Sequence, residues 1–123
     1  MQGFGYKPFK TSQEFSVLFT GDIEEIAESK IVKIYGDTDI LQSTILKVAH
    51  HGSKTSSTQE FLNLVKPRIA LIGVGHNNKF GHPNGGVVER LNKMNCEVYR
   101  TDEMGEITIK VLRDGNIKVD RIL

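Results

Sequence analysis

A chain of 123 residues with 38% hydrophobic side chains can bury one core of modest size, so a single folding unit over 1–123 is expected. Sixteen basic and fifteen acidic side chains leave a net charge of +1, which excludes a global field steering the chain to nucleic acid; such a role needs a local basic patch. The one cysteine, Cys96, excludes an intrachain disulfide and a thiolate zinc cluster, and fits a small buried side chain at the start of a strand.

The first thirteen residues mix Gly, Lys, Pro and Ser without periodicity. Glu14 to Thr20 then reads as a buried strand ending at Gly21-Asp22. Ile23, Ile26, Ala27, Ile31 and Ile34 recur at helical spacing with acids early, which predicts an amphipathic helix that Gly36 ends. Ser43 to Ala49 predicts a second strand that delivers His50 and His51 at its C-terminal end. After the polar stretch Ser53 to Ser57, a capping box of Ser57 and Glu60 opens a helix with Phe61, Leu62 and Val65 on its apolar face, closed by Pro67. Arg68 to Val74 reads as a third strand and Gly75 to Pro83 as a loop. A helix with Val87, Val88, Leu91 and Met94 on one side follows, then a fourth strand at Glu97 to Thr101. Glu106 to Leu112 and Asn116 to Ile122 pair as a hairpin across Asp114-Gly115. This alternation is an α/β pattern with right-handed crossovers and a mixed, partly parallel sheet. No apolar run approaches the roughly 18 residues of a membrane span, and no basic-then-apolar leader is present, so the chain as it stands is expected to be soluble.

Three polar clusters follow predicted strands: Thr20-Gly21-Asp22, His50-His51-Gly52-Ser53, and the loop that holds His76, Asn77, Asn78 and His82. The carboxyl ends of strands are where open α/β sheets bind ligands. A carboxylate and neutral imidazoles suit Zn²⁺, Mn²⁺ or Fe²⁺. Each residue also has a plainer reading. Asp22 fits a helix cap, and His82 and His76 fit ordinary loop histidines. Adjacent strand residues point to opposite faces, so His50 and His51 share a site only if the backbone turns there, which Gly52 allows.

Leu18-Phe19-Thr20-Gly21-Asp22-Ile23-Glu24 and Leu46 to Ser57, with its Ala49-His50-His51-Gly52-Ser53, closely resemble the metallo-β-lactamase domain of ComEC-type competence proteins. Gly75 to Pro83 and Val98-Tyr99-Arg100-Thr101-Asp102 continue the resemblance in order. It implies the C-terminal half of an αββα sandwich with a one- or two-metal site, Zn²⁺ or Mn²⁺, where a hydroxide attacks a phosphodiester or other ester-like bond. Asp22 would contact or bridge the metals, one of His50 and His51 would be a ligand with the other supporting it, and His82 would sit at the rim and act on substrate or leaving oxygen. Ser53, Lys54, Thr55 and Ser56, ahead of a helix N-terminus, would hold a phosphate together with Asn78; a capped helix with a solvated lysine is the plainer alternative. The family's His-x-His-x-Asp-His or His-x-Asp-x-Asp-His motif has no match here, and all four histidines are already placed. The chain alone is therefore expected to form an incomplete centre and to belong to a larger protein, pair with a complementing N-terminal half, or form a homodimer. A catalytically inactive interaction or dimerisation module is the competing reading. A third is nucleic-acid binding without cleavage through Lys47, Lys54, Lys66, Arg68 and Lys79 near one sheet edge. The side of any membrane stays open.

Overall fold

The computed structural model describes residues 15–75 and 78–122. Its elements are β1 (Val17–Phe19), α1 (Glu25–Tyr35), β2 (Ile45–Lys47), a short 3₁₀ turn (Ala49–Gly52), α2 (Gln59–Val65), β3 (Ile69–Ile72), α3 (Gly85–Lys93), β4 (Glu97–Arg100), α4 (Thr101–Met104), β5 (Glu106–Val111) and β6 (Ile117–Ile122).

Strands β1 to β4 form one parallel sheet in sequence order. Sequential order with crossovers of one hand puts every connecting helix on the same side. The core agrees: Leu46 and Val48, Ala70, Ile72 and Val74 pack with Phe61, Leu62 and Val65 of α2 and Val87 and Leu91 of α3, and Leu18, Ile31, Val32 and Val98 close the margins. The opposite face carries Val17, Phe19, Ile45, Lys47, Ile69, Leu71 and Tyr99. At the β3–β4 side the hairpin approaches it, where Ile117 and Val119 share a cleft with Arg68, Ile69, Glu97 and Tyr99.

Four expectations need correction. The hairpin is a separate antiparallel sheet, so the expected single mixed sheet is instead a four-stranded parallel sheet and a two-stranded one. Among the described residues the first strand is not buried but an edge strand, with Phe19 77% exposed, because only β2 pairs with it and no described helix lies over that side chain. On α1 the buried stripe is rotated: Ile26 is 72% exposed and Ile34 69%, while the charged Glu28 is fully buried. The α2 cap is Thr58, whose hydroxyl accepts from Phe61 N–H at 3.3 Å, rather than Ser57.

Glu28 explains the last two corrections together. Its carboxylate accepts from Ser57 N–H at 2.6 Å and Thr58 N–H at 2.8 Å. The N-cap amide of α2 and the one before it are thus satisfied by a carboxylate from α1, which also suits the positive end of the helix dipole. Arg90 of α3 donates to the Ser57 carbonyl at 3.0 Å, so three helices meet at this point. Cys96 is buried beside the core as expected, and burial, with Glu97 adding to it, pushes its thiol up to about 11. Among the described residues no helix is long and apolar enough to cross a membrane.

Candidate functional site

The carboxyl ends of β1, β2 and β3 lie side by side, so the loops that follow them converge. After β1 the chain turns at Gly21, which has φ +56. The Gly21 carbonyl accepts from His50 N–H at 2.8 Å, and Thr20 donates its hydroxyl to the Lys47 carbonyl at 2.5 Å. These bonds join the Asp22 turn to the histidine turn. Asp22 is exposed and is not the cap of α1: the N-cap residue is Glu24, whose side chain makes no capping bond. Among the described residues Asp22 has no hydrogen-bond or ion-pair partner, which leaves its carboxylate available.

His50, His51 and Gly52 all adopt left-handed backbone, with φ of 52, 55 and 80. For the two histidines this costs roughly 1–2 kcal/mol each, and it breaks the strand alternation that would send their rings to opposite faces. The turn is held by Ser53 N–H on the His50 carbonyl at 2.9 Å and Asn84 N–H on the Gly52 carbonyl at 2.8 Å. Gly52 also packs against the next loop so closely that a Cβ there would lie 2.6 Å from Pro83 Cβ.

The ring orientations are set from outside the motif. His51 Nδ1 lies 2.6 Å from the Gly73 carbonyl, which can only accept, so Nδ1 carries the proton and Nε2 of the neutral ring is a free lone pair. His50 Nδ1 is buried and lies 3.1 Å from Glu24 Oε2. That approach falls outside hydrogen-bond geometry and is an electrostatic contact. Glu24 is itself held by the Thr55 hydroxyl at 3.0 Å. A carboxylate or carbonyl behind each imidazole is the arrangement that fixes metal-ligating histidines.

His82 completes the group. Its ring centroid is 6.0 Å from that of His50 and 6.4 Å from that of His51, which are 6.5 Å from each other. Asn78 holds it there, with Oδ1 accepting from His82 N–H at 2.9 Å and Nδ2 donating to the His82 carbonyl at 2.7 Å. Three imidazoles on one tetrahedral zinc stand roughly 5 Å apart between centroids. The rings here are wider, and among the described residues no group of three His, Cys, Asp or Glu side chains is disposed to hold a metal ion. The donor set therefore fits part of a centre, with two oriented imidazoles and a carboxylate on the neighbouring turn.

The residues expected to cradle phosphate are otherwise engaged. Ser53 and Thr55 bond each other through their hydroxyls at 2.9 Å, Ser56 donates to the Ile23 carbonyl at 2.5 Å, and the amides of Ser57 and Thr58, just ahead of α2, are taken by Glu28. Asn78 spends its amide on the His82 loop. Lys54 alone of this set is exposed, and among the described residues it makes no hydrogen bond or ion pair. The basic residues do not share one edge: Lys47, Lys54 and Lys79 lie at the carboxyl ends of the strands, whereas Lys66 and Arg68 precede β3 and so sit at its opposite end. His76 and Asn77 lie outside the described residues.

Sequence reasoning missed Glu24, the Gly73 carbonyl and Thr101, whose hydroxyl accepts from Val74 N–H at 2.8 Å and donates back to the Val74 carbonyl at 2.9 Å, tying β3 to the end of β4. The available signal was Glu24 two residues past Asp22; a backbone carbonyl leaves none.

Three curated relatives each share 36% identity with the chain. The ComE operon protein 3 of Bacillus subtilis aligns over 92 residues, 75% of this chain. The competence protein ComA of Neisseria gonorrhoeae aligns over 107 residues, 87% of the chain, and recombination protein 2 of Haemophilus influenzae over 99, or 80%. This chain is related to a region of the ComEC-type competence proteins. It spans only 12–15% of the length of those three ComEC-type relatives. No family model and no solved structure matches it. Its kinship to the ComEC-type proteins thus rests on sequence, and the histidine turn, the Asp22 turn and the His82 loop are features of this fold in their own right.

Proposed function

We propose that the chain is the C-terminal part of a metallo-β-lactamase-like domain of ComEC type, and that it supplies Asp22, His50, His51 and His82 to a centre hydrolysing phosphodiesters in nucleic acid. The observation that carries this reading is the strained left-handed turn at His50-His51, which brings both rings near His82, with Nδ1 of His51 on the Gly73 carbonyl and Nδ1 of His50 beside the Glu24 carboxylate. Backbone strain of this kind persists where surrounding structure over-determines it, and it concentrates at functional sites.

In this reading His50 and His51 offer Nε2 to Zn²⁺ or Mn²⁺, and Asp22 adds a hard oxygen from the adjoining turn. The ion's contribution is Lewis acidity and a hydroxide source at neutral pH. His82 stands as near to each of these rings as they stand to each other, so a substrate oxygen bound at the pair would lie beside it. Anchored by Asn78, His82 orients the phosphodiester or gives a proton to the leaving oxygen. Lys54 and Lys79 at the same end attract the phosphate backbone. A sheet with its helices on one side, and Val17 and Phe19 exposed on the other, suits one half of an αββα sandwich.

The test is metal-dependent hydrolysis of bis-p-nitrophenyl phosphate by the parent protein that contains this chain. Activity lost in both Asp22→Ala and His51→Ala supports the reading, and activity unchanged in both refutes it. The same exposed Val17 and Phe19 favour a second reading, an interaction module in which two copies meet through this sheet face. Light scattering that finds a monomer at micromolar concentration removes that reading.

A further inference from the structure

Phe80 is 80% exposed, the most exposed of the large apolar side chains described, although nothing in the core requires an aromatic ring at this position. Its ring lies beside that of His82 and nearly parallel to it, with centroids 5.9 Å apart and planes at 26°. The backbone on both sides of the ring is clamped by one side chain, since Asn78 Oδ1 accepts from Phe80 N–H at 3.2 Å as well as from His82 N–H. Lys79, next to it, is exposed. An exposed ring beside a site histidine, on backbone held in place and next to a cation, is the kind of platform on which sequence-tolerant proteins stack the bases of single strands.

We propose that Phe80 is a base-stacking residue, holding a nucleobase of a single-stranded nucleic acid whose neighbouring phosphodiester lies at His82. This rests on the phosphodiesterase reading above and adds to it the element that grips the base. In a duplex both faces of each base are already stacked, so a strand with unpaired bases is the form that fits. Recognition through a ring face carries no sequence code, and purines, with the larger face, bind more tightly than pyrimidines.

The chain contains no tryptophan, so Phe80→Trp introduces a single fluorescent reporter at an exposed position. The probes are a short oligodeoxyadenylate and an abasic oligomer of the same length and charge. Saturable quenching by the first but not the second is expected. Phe80→Ala should weaken binding of the oligodeoxyadenylate, read by anisotropy, about 5- to 100-fold, and leave the abasic oligomer's affinity unchanged. If Phe80→Ala binds the oligodeoxyadenylate as wild type does, or both oligomers bind alike, stacking at Phe80 is wrong while the phosphodiester reading survives. If wild type binds neither oligomer, both fall.

Discussion

Replacing Glu28 tests whether the site rests on a buried carboxylate. Glu28 is fully buried and takes the amide protons of Ser57 and Thr58 at 2.6 and 2.8 Å. In Glu28→Ala both donors lose their partner in a dry environment, and each unsatisfied amide costs about 1–3 kcal/mol, so a loss of about 2–6 kcal/mol is expected before any cavity is counted. Glu28→Gln keeps one oxygen acceptor but turns an NH₂ group toward the other amide, so about half that loss is expected, roughly 1–3 kcal/mol. Glu60, exposed in the first turn of α2, provides the control: Glu60→Gln stays within about 0.5 kcal/mol. Urea unfolding followed by far-UV circular dichroism, with the slope unchanged, reads all three. Glu28→Gln and Glu28→Ala both within 0.5 kcal/mol of wild type would show that this carboxylate does not anchor the start of α2.

Two other perturbations have defined outcomes. Gly52→Ala meets Pro83 Cβ at 2.6 Å in a backbone of φ +80, so strain and overpacking together should cost about 2–5 kcal/mol; a variant as stable as wild type in thermal unfolding would mean the two loops are not in contact. Cys96 has its thiol raised to about 11 by burial and Glu97, so at pH 8 its thiolate fraction is about 100-fold below that of an unshifted thiol. Reaction with a disulfide reagent should therefore be slow at pH 8, accelerate as pH rises toward 11 and become fast on unfolding; native reaction at pH 8 as fast as in urea would contradict it.

Strands, helices and the order of the three polar loops were legible because apolar periodicity and turn residues record them directly. The histidine turn was legible only as a condition: Gly52 permitted a reversal, but the left-handed φ at His50 and His51 depends on bonds to Gly21 and Asn84, far away in sequence. Nothing set Glu28 apart from the other early acids of its helix, because a charge on the buried side makes sense only once the Ser57 and Thr58 amides that bind it are known. The bonds made by Thr55 and Ser56 were hidden for the same reason, since their partners, Glu24 and the Ile23 carbonyl, come from the segment that leads into α1. Phe19 and the hairpin show a third limit. Alternation identifies a strand, but whether its second face is covered depends on what the rest of the sheet meets.

The central claim is that His50 and His51 offer Nε2 to one metal ion, with His82 beside them on the substrate side. Long-range ¹H–¹⁵N spectra of the imidazoles during Zn²⁺ titration test it most directly. The account predicts that His51 keeps its proton on Nδ1 before and after addition, that Nε2 of His50 and His51 shift together at one equivalent, and that His82 responds with them. Shifts at Nδ1 of His51, or no saturable change at any of the three rings in a folded protein, would contradict it.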